Sequence, residues 1–164
     1  MIRIDVADQQ TAMAIDRRQL CRAVRLVLCD EAIAEGRISL AIVDDPTIRR
    51  LHRQYLGQDE ATDVLSFTLE RFAAALEGEV IASAETARRA ARRFGWSPAD
   101  ELLLYVIHGT LHLVGQGDDS PAARARMRAR ERHYLAQFGL APRYRQQRQP
   151  GPGSAKRPSP NRRS

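Results

Sequence analysis

The sequence predicts a single α+β domain with about four strands and about five helices. Three observations support this prediction. The chain has 164 residues, which is long enough to bury a substantial core. Short apolar runs typical of strands are interspersed with longer segments whose apolar residues recur at helical spacing. Capping residues, prolines and glycines stand between these segments, where helices begin and end.

Four short runs predict the strands. The first alternates apolar and polar residues, and the second is continuously apolar, as in a strand buried within a sheet. The third run follows a polar loop, and the fourth run is followed by a capping serine. The predicted strands cover residues 2–6, 38–43, 64–69 and 78–82.

Capping residues mark the start of each predicted helix. Asp16, Asp44, Ser83 and Ser97 each stand where an N-cap is expected, and the Ser120-Pro121 pair opens the last helix. Gly36 is expected to end the first helix, since glycine commonly follows a helix C-terminus. The predicted helices cover about residues 16–35, 44–56, 83–94, 97–112 and 119–138.

The segment HGTLHLVGQGD, residues 108–118, says most about function. His108 and His112 lie four residues apart on a helix that is nearly apolar all round, so both imidazoles can reach one metal ion from a protected position. Gly115 is expected to turn the chain back and bring Asp118 or Asp119 close as a third ligand. Three ligands with one open position are typical of a catalytic zinc site.

Two other interpretations stay open for this segment. The histidines could be core residues satisfied by hydrogen bonds, and Asp118 or Asp119 could simply cap the last helix. Position 109 is Gly, so the segment is not the HExxH motif of metalloproteases, which places its general base beside the first ligand. The pattern favours a metal-dependent hydrolase, with Asp118 as the preferred third ligand.

Charge divides the chain into a near-neutral body and a basic tail. Seven of the 26 basic residues lie beyond residue 140, where no acidic residue occurs, so residues 1–140 hold 19 basic and 20 acidic side chains. Residues 141–164 are rich in Pro, Gly, Ser, Gln and Arg, a composition typical of disorder. This tail either contacts RNA through its cations or is a solubilising extension.

No targeting or membrane signal is recognisable. The N-terminus lacks a charged segment followed by an apolar one, and no apolar run approaches the roughly 18 residues that a membrane span needs. We therefore expect a cytoplasmic protein without membrane contact.

Four motifs, in order along the chain, resemble those of the YbeY endoribonuclease family. HGTLHLVGQGD is similar to that family's HGxLHLxGxDH signature. The other three are ISLAIVDDPTIRRLHRQY at residues 38–55, DEATDVLSF at residues 59–67 and GEVIAS at residues 78–83. The resemblance covers about residues 1–140.

This resemblance implies a small mixed sheet with helices packed on it, one Zn²⁺ per chain, and single-stranded RNA as substrate. It also implies a role in maturation of small-subunit ribosomal RNA and in ribosome quality control, with the small ribosomal subunit as partner. Residues 1–140 would then be the metal-dependent endoribonuclease domain, and His108, His112 and Asp118 would be the metal ligands.

The sequence departs from the family pattern at two positions. Asp118 stands where the family usually has its third histidine, and a carboxylate can replace imidazole on zinc. Leu56 stands where the family commonly has an arginine that would hold a phosphate. Arg53, one turn earlier, could serve that purpose or be a solvated helix residue. Thr62 and Ser66 could orient a phosphate or be ordinary polar residues of their loop and strand.

Three functions are therefore consistent with the sequence. The first is a metal-dependent endoribonuclease of ribosomal RNA processing. The second is a non-catalytic RNA-binding assembly factor whose metal is structural, an interpretation that the loss of the arginine at Leu56 supports. The third is a metal hydrolase of another substrate, because fold and metal do not fix the reaction.

Overall fold

A four-stranded sheet forms the centre of the fold in the computed structural model, which describes residues 1–143. Its strands lie in the order β1-β2-β4-β3. β1 pairs with β2 and β2 with β4 in parallel, whereas β3 pairs with β4 antiparallel, so the implied mixed sheet is confirmed. The strands are β1 (Ile2–Asp8), β2 (Glu35–Val43), β3 (Val64–Phe72) and β4 (Ala75–Ser83).

Five helices occur within residues 1–143, as the sequence predicts. Each predicted N-cap side chain accepts a hydrogen bond from the backbone N–H three residues later, and Ser120 does the same for the last helix. The helices are α1 (Arg17–Asp30), α2 (Asp45–Leu56), α3 (Ala84–Phe94), α4 (Pro98–Leu113) and α5 (Pro121–Ala136).

The prediction that Gly36 ends the first helix was wrong. α1 ends at Asp30, and Gly36 instead lies inside β2 with φ +147°. A Cβ atom at this position would lie 1.9 Å from the carbonyl oxygen of Leu76 on the neighbouring strand β4. Glycine is required here because two strands approach closely, not because a helix terminates.

The third and fourth strands are longer than predicted. They form a β-hairpin across Ala73 and Ala74, so β3 continues to Phe72 and β4 begins at Ala75. Ala73 adopts φ +50°, a conformation that tight hairpin turns need and that glycine or asparagine usually supplies. Because the turn contains neither glycine nor asparagine, the sequence has no recognisable hairpin signal.

α4 lies in the core and determines where the site forms. It packs on β3 and β4 and also contacts α1, α3 and α5. α2 packs through Ile48 on a separate cluster with Val43, Leu65 and Ile81, on the other face of the sheet, since successive strand residues point to opposite faces. Among residues 1–143, no helix combines the length and apolar character that would let it cross a membrane.

The predicted basic tail falls almost entirely outside the described residues. Only residues 141–143 of it belong to the described part of the chain. Arg143 donates a hydrogen bond to the carbonyl oxygen of Gly95, at the end of α3.

Candidate metal centre

Close packing of α4 against the sheet fixes the position of the two histidines. A Cβ atom on Gly109 would lie 2.7 Å from a methyl carbon of Val80 and 2.9 Å from one of Val64, so only glycine permits this approach. Ser66 donates a hydrogen bond of 2.8 Å to the carbonyl oxygen of Gly109. The helix is therefore held to β3 and β4 immediately next to His108.

The three predicted ligand atoms converge at the C-terminal end of α4. The Nε2 atoms of His108 and His112 are 2.9 Å apart. Oδ2 of Asp118 lies 3.5 Å from Nε2 of His108 and 3.3 Å from Nε2 of His112. Gly115, with φ +94°, begins the turn that returns the chain to this point, as the sequence predicts. The three atoms form a small triangle.

This triangle has the dimensions expected of three ligands on one ion. A tetrahedral zinc with ligand bonds of about 2.1 Å holds its ligand atoms about 3.4 Å apart. Two of the three separations, 3.3 and 3.5 Å, match that value, and the third is shorter. Two imidazoles and one carboxylate also form a ligand set that zinc accepts while keeping a further position open. The residues present therefore fit a divalent metal ion.

A buried glutamate that sequence reasoning missed orients His108. Oε1 of Glu131, on α5, lies 2.6 Å from Nδ1 of His108, and the Glu131 side chain is only 4% exposed. The carboxylate can accept only from an N–H on Nδ1, which leaves the lone pair of Nε2 directed at His112 and Asp118. One signal was available: Glu131 interrupts an apolar stripe of α5 that includes Met127 and Tyr134.

The contact with Glu131 also affects the pKa of His108. Burial by itself lowers the pKa of His108, but the hydrogen bond and charge of Glu131, with smaller contributions from Asp63 and Asp118, outweigh it and raise the pKa. The surrounding carboxylates therefore favour a positive charge at the position where the three ligand atoms converge. That preference suits a metal cation.

A cavity of about 250 Å³ opens beside the triangle, between α3, α4 and α5. His108 and Asp118 line it together with Asp63, Glu101 and Glu131, so four carboxyl groups face the cavity. Its remaining walls combine apolar side chains with arginines: Phe94, Leu104, Tyr105, Arg124, Met127, Arg128 and Arg143. Glu101, in the first turn of α4, is buried and accepts a hydrogen bond from Nε1 of Trp96.

The three predicted substrate contacts lie apart from this cavity. The Ser66 hydroxyl bonds to Gly109, and the Thr62 hydroxyl donates to Oδ1 of Asp63 at 3.4 Å. Arg53 lines a different groove, along α2, where its Nη1 lies 4.0 Å from Oδ1 of Asp59. None of the three belongs to the cavity lining found among residues 1–143. Their contact with substrate stays a prediction.

Of the two aspartates at the turn, Asp118 is the one that lies beside the histidines. Asp118 is the residue whose carboxylate meets both histidines. Asp119 is exposed, and neither residue caps α5, because the Ser120 hydroxyl accepts from the N–H of Ala123. Leu56, at the end of α2, is 55% exposed.

Comparisons with known proteins point to one family. A family model described as Endoribonuclease YbeY matches residues 5–139. The endoribonuclease YbeY of Rhodopirellula baltica is 44% identical over 126 residues, covering 76% of this chain and 65% of the relative. That of Chlorobaculum tepidum is 39% identical over 125 residues, covering 76% and 90%, respectively.

One solved structure has the same fold. The solution structure of TM1509 from Thermotoga maritima superposes with a TM-score of 0.56 at 26% sequence identity. The match covers 85% of this chain and 92% of that one. The fold likeness thus extends over nearly the whole described part of the chain.

Proposed function

We propose that this chain, which belongs to the YbeY endoribonuclease family, is a zinc-dependent endoribonuclease that hydrolyses single-stranded RNA. The observation that carries the proposal is the triangle formed by Nε2 of His108, Nε2 of His112 and Oδ2 of Asp118 at the edge of a cavity. The names of the relatives suggest RNA hydrolysis as the reaction, and the triangle supports a metal site at which it would occur.

His108, His112 and Asp118 would hold one Zn²⁺ per chain. Bound there, zinc supplies Lewis-acid chemistry that polarises a phosphodiester oxygen and acidifies water. Glu131 holds the proton of His108 on Nδ1, so the imidazole keeps the tautomer and the orientation that a ligand needs. Ser66 and Gly109 keep α4 seated on the sheet, and this packing maintains the spacing of the histidines.

The biological assignment follows from the family. We assign to this chain a role in small-subunit ribosomal RNA maturation and ribosome quality control in the cytoplasm, with the small ribosomal subunit as partner. Residues 1–140 form the catalytic domain in this proposal. Residues 141–164, which carry cations and no acidic residue, add further RNA contacts in this proposal.

Metal content measured together with RNA cleavage tests this proposal. Purified protein should contain about one zinc per chain by plasma mass spectrometry and should cleave a single-stranded oligoribonucleotide. His112→Ala and Asp118→Asn should lose both properties, because each removes one of three ligands. The chain provides matched controls in His133→Ala and Asp119→Asn, which change exposed neighbours of the same types and should keep both.

Two results would overturn the proposal. Wild-type protein that binds no divalent metal would eliminate the centre. Zinc-loaded protein that binds single-stranded RNA and never cleaves it, with His112→Ala reducing only thermal stability, would establish a structural metal in an RNA-binding assembly factor instead.

A further inference from the structure

We propose that Arg124 and Arg128 of α5 bind the RNA backbone phosphate at the metal centre. This inference rests on the proposed function and identifies which side of the cleft holds the substrate. It assigns the phosphate contact to α5 and not to α2, where the family commonly has its arginine.

Helical spacing separates the arginines of α5 into different groups. Arg124 and Arg128 are four residues apart and both line the cavity that contains His108 and Asp118. Glu131, which bonds to His108, continues the same face one turn later. Arg126 is rotated by about 200° from Arg124, at about 100° per residue, and is exposed away from this face.

Arg124 lies directly beside a proposed metal ligand. Its Nη1 donates a hydrogen bond of 3.3 Å to the backbone carbonyl oxygen of Asp118. This contact engages one of the five N–H donors of a guanidinium group and holds the side chain beside Asp118. A phosphodiester at the metal centre would therefore lie within reach of a planar, permanently charged donor that suits phosphate oxygens.

The charge balance of the cavity requires such cations. Four carboxyl groups line it, from Asp63, Glu101, Asp118 and Glu131. A phosphodiester approaching these groups is repelled unless positive charges stand between them. Three arginines, at positions 124, 128 and 143, line the same cavity. Without their positive charges, the metal ion alone would have to offset the repulsion between the carboxylates and the phosphodiester.

α2 offers a weaker alternative. Its Arg49 and Arg53 both lie against Asp59, at 2.9 and 4.0 Å, in a groove that shares no lining residue with the His108 cavity. Leu56 carries no charge at the family's usual arginine position. Within residues 1–143, the arginines that line the cavity beside the ligand triangle are therefore two of α5 and Arg143.

Steady-state cleavage by the zinc-loaded full chain tests this assignment. Arg124→Gln and Arg128→Gln should each raise KM for a single-stranded oligoribonucleotide about tenfold, the usual effect of losing a charge-assisted hydrogen bond. Each should also make the dependence of log KM on log salt concentration shallower by about 0.7, the value for one phosphate contact on a single strand. Zinc content should stay at the wild-type level.

Two further variants separate a phosphate contact from a structural role. Arg126→Gln removes an arginine from the opposite face of α5 and should keep the wild-type KM and salt dependence. Arg124→Lys retains the charge but not the planar pair of donors, so its KM should lie between those of wild type and Arg124→Gln. Because Arg124 is exposed, neither substitution at that position should impair folding.

The inference and the proposed function fail in different ways. If wild type binds zinc and cleaves RNA, but Arg124→Gln and Arg128→Gln match Arg126→Gln in KM and salt dependence, the phosphate contact is wrong and the enzyme assignment stands. Loss of zinc in the two variants would likewise overturn it, since the arginines would then be supporting the metal ligands. If wild type neither binds zinc nor cleaves RNA, both proposals fail.

Discussion

The cavity beside His108 and the groove along α2 both bring arginines and carboxylates together, yet they differ in burial. In the cavity, Glu131 is 4% exposed and meets a half-buried histidine. In the groove, Arg49 and Asp59 pair while both side chains are more than half exposed. Water screens the second pair and leaves the first nearly unscreened. A carboxylate therefore orients the proposed metal ligand His108 in one region and forms an exposed ion pair with an arginine in the other.

The largest effect is expected at the buried partner. Glu131→Gln keeps the shape of the side chain but removes the charge that favours a cation at the centre and that fixes the proton of His108 on Nδ1. Substitution of such a partner typically weakens metal binding about 10–100-fold. Competition with a zinc chelator should reveal that loss, and cleavage at limiting zinc should fall in parallel.

Glu101→Gln is the matched control for this substitution. Glu101 is a second buried carboxyl group of the same cavity, but it accepts its hydrogen bond from Nε1 of Trp96 and not from a histidine. The Glu101→Gln variant should retain wild-type zinc affinity. Equal loss of affinity in both variants would mean that the general charge of the cavity, and not the contact with His108, determines metal binding.

The N-terminal end of α2 shows that burial also matters outside the centre. Asp45 is 20% exposed, and its carboxylate accepts hydrogen bonds from Ser83 at 2.6 Å, Thr86 at 2.7 Å and Arg89 at 2.6 Å. These contacts join α2 to α3. Asp45→Asn should lower the free energy of unfolding by about 1–3 kcal/mol at pH 7, because an amide cannot accept all three bonds.

The pH dependence of this effect has a definite sign. Burial raises the pKa of Asp45, but the hydrogen bonds from Ser83, Thr86 and Arg89 outweigh it and lower the pKa below the ordinary 3.8. The stability gained is therefore complete above pH 3.8 and is lost as pH falls through the folded-state pKa. Urea denaturation of wild type and Asp45→Asn should show a full difference at pH 7 and a smaller one at pH 3. A constant difference would contradict the assigned cause.

Local signals were sufficient to predict that the two histidines meet an aspartate of the following turn. His108 and His112 are related by helical spacing, and Gly115 marks the turn that returns Asp118 to them. All three residues lie within one short segment, so no knowledge of tertiary structure is needed. The N-caps were predictable for the same reason, since each acts on a backbone group three residues away.

Features that depend on distant chain segments were not predictable. Glu131 meets His108 only because α5 packs against α4, and Arg124 reaches the cavity for the same reason. Gly36 was assigned to a helix end because its real constraint, the carbonyl of Leu76, lies on another strand. The hairpin at Ala73 lacks the glycine or asparagine that normally reveals such a turn.

The smallest effect is expected at the exposed pair of α2. Asp59→Asn should leave the urea midpoint close to that of wild type, with any difference disappearing at high salt, because exposed charges are screened. Zinc content should not change. The decisive measurement is KM for RNA at low salt. Asp59→Asn removes the carboxylate that contacts Arg49 and Arg53, so both arginines become available to bind phosphate. A lower KM would therefore show that α2 is part of the RNA-binding surface. An unchanged KM would leave the phosphate contacts with α5, where Arg124 adjoins the proposed metal ligand Asp118.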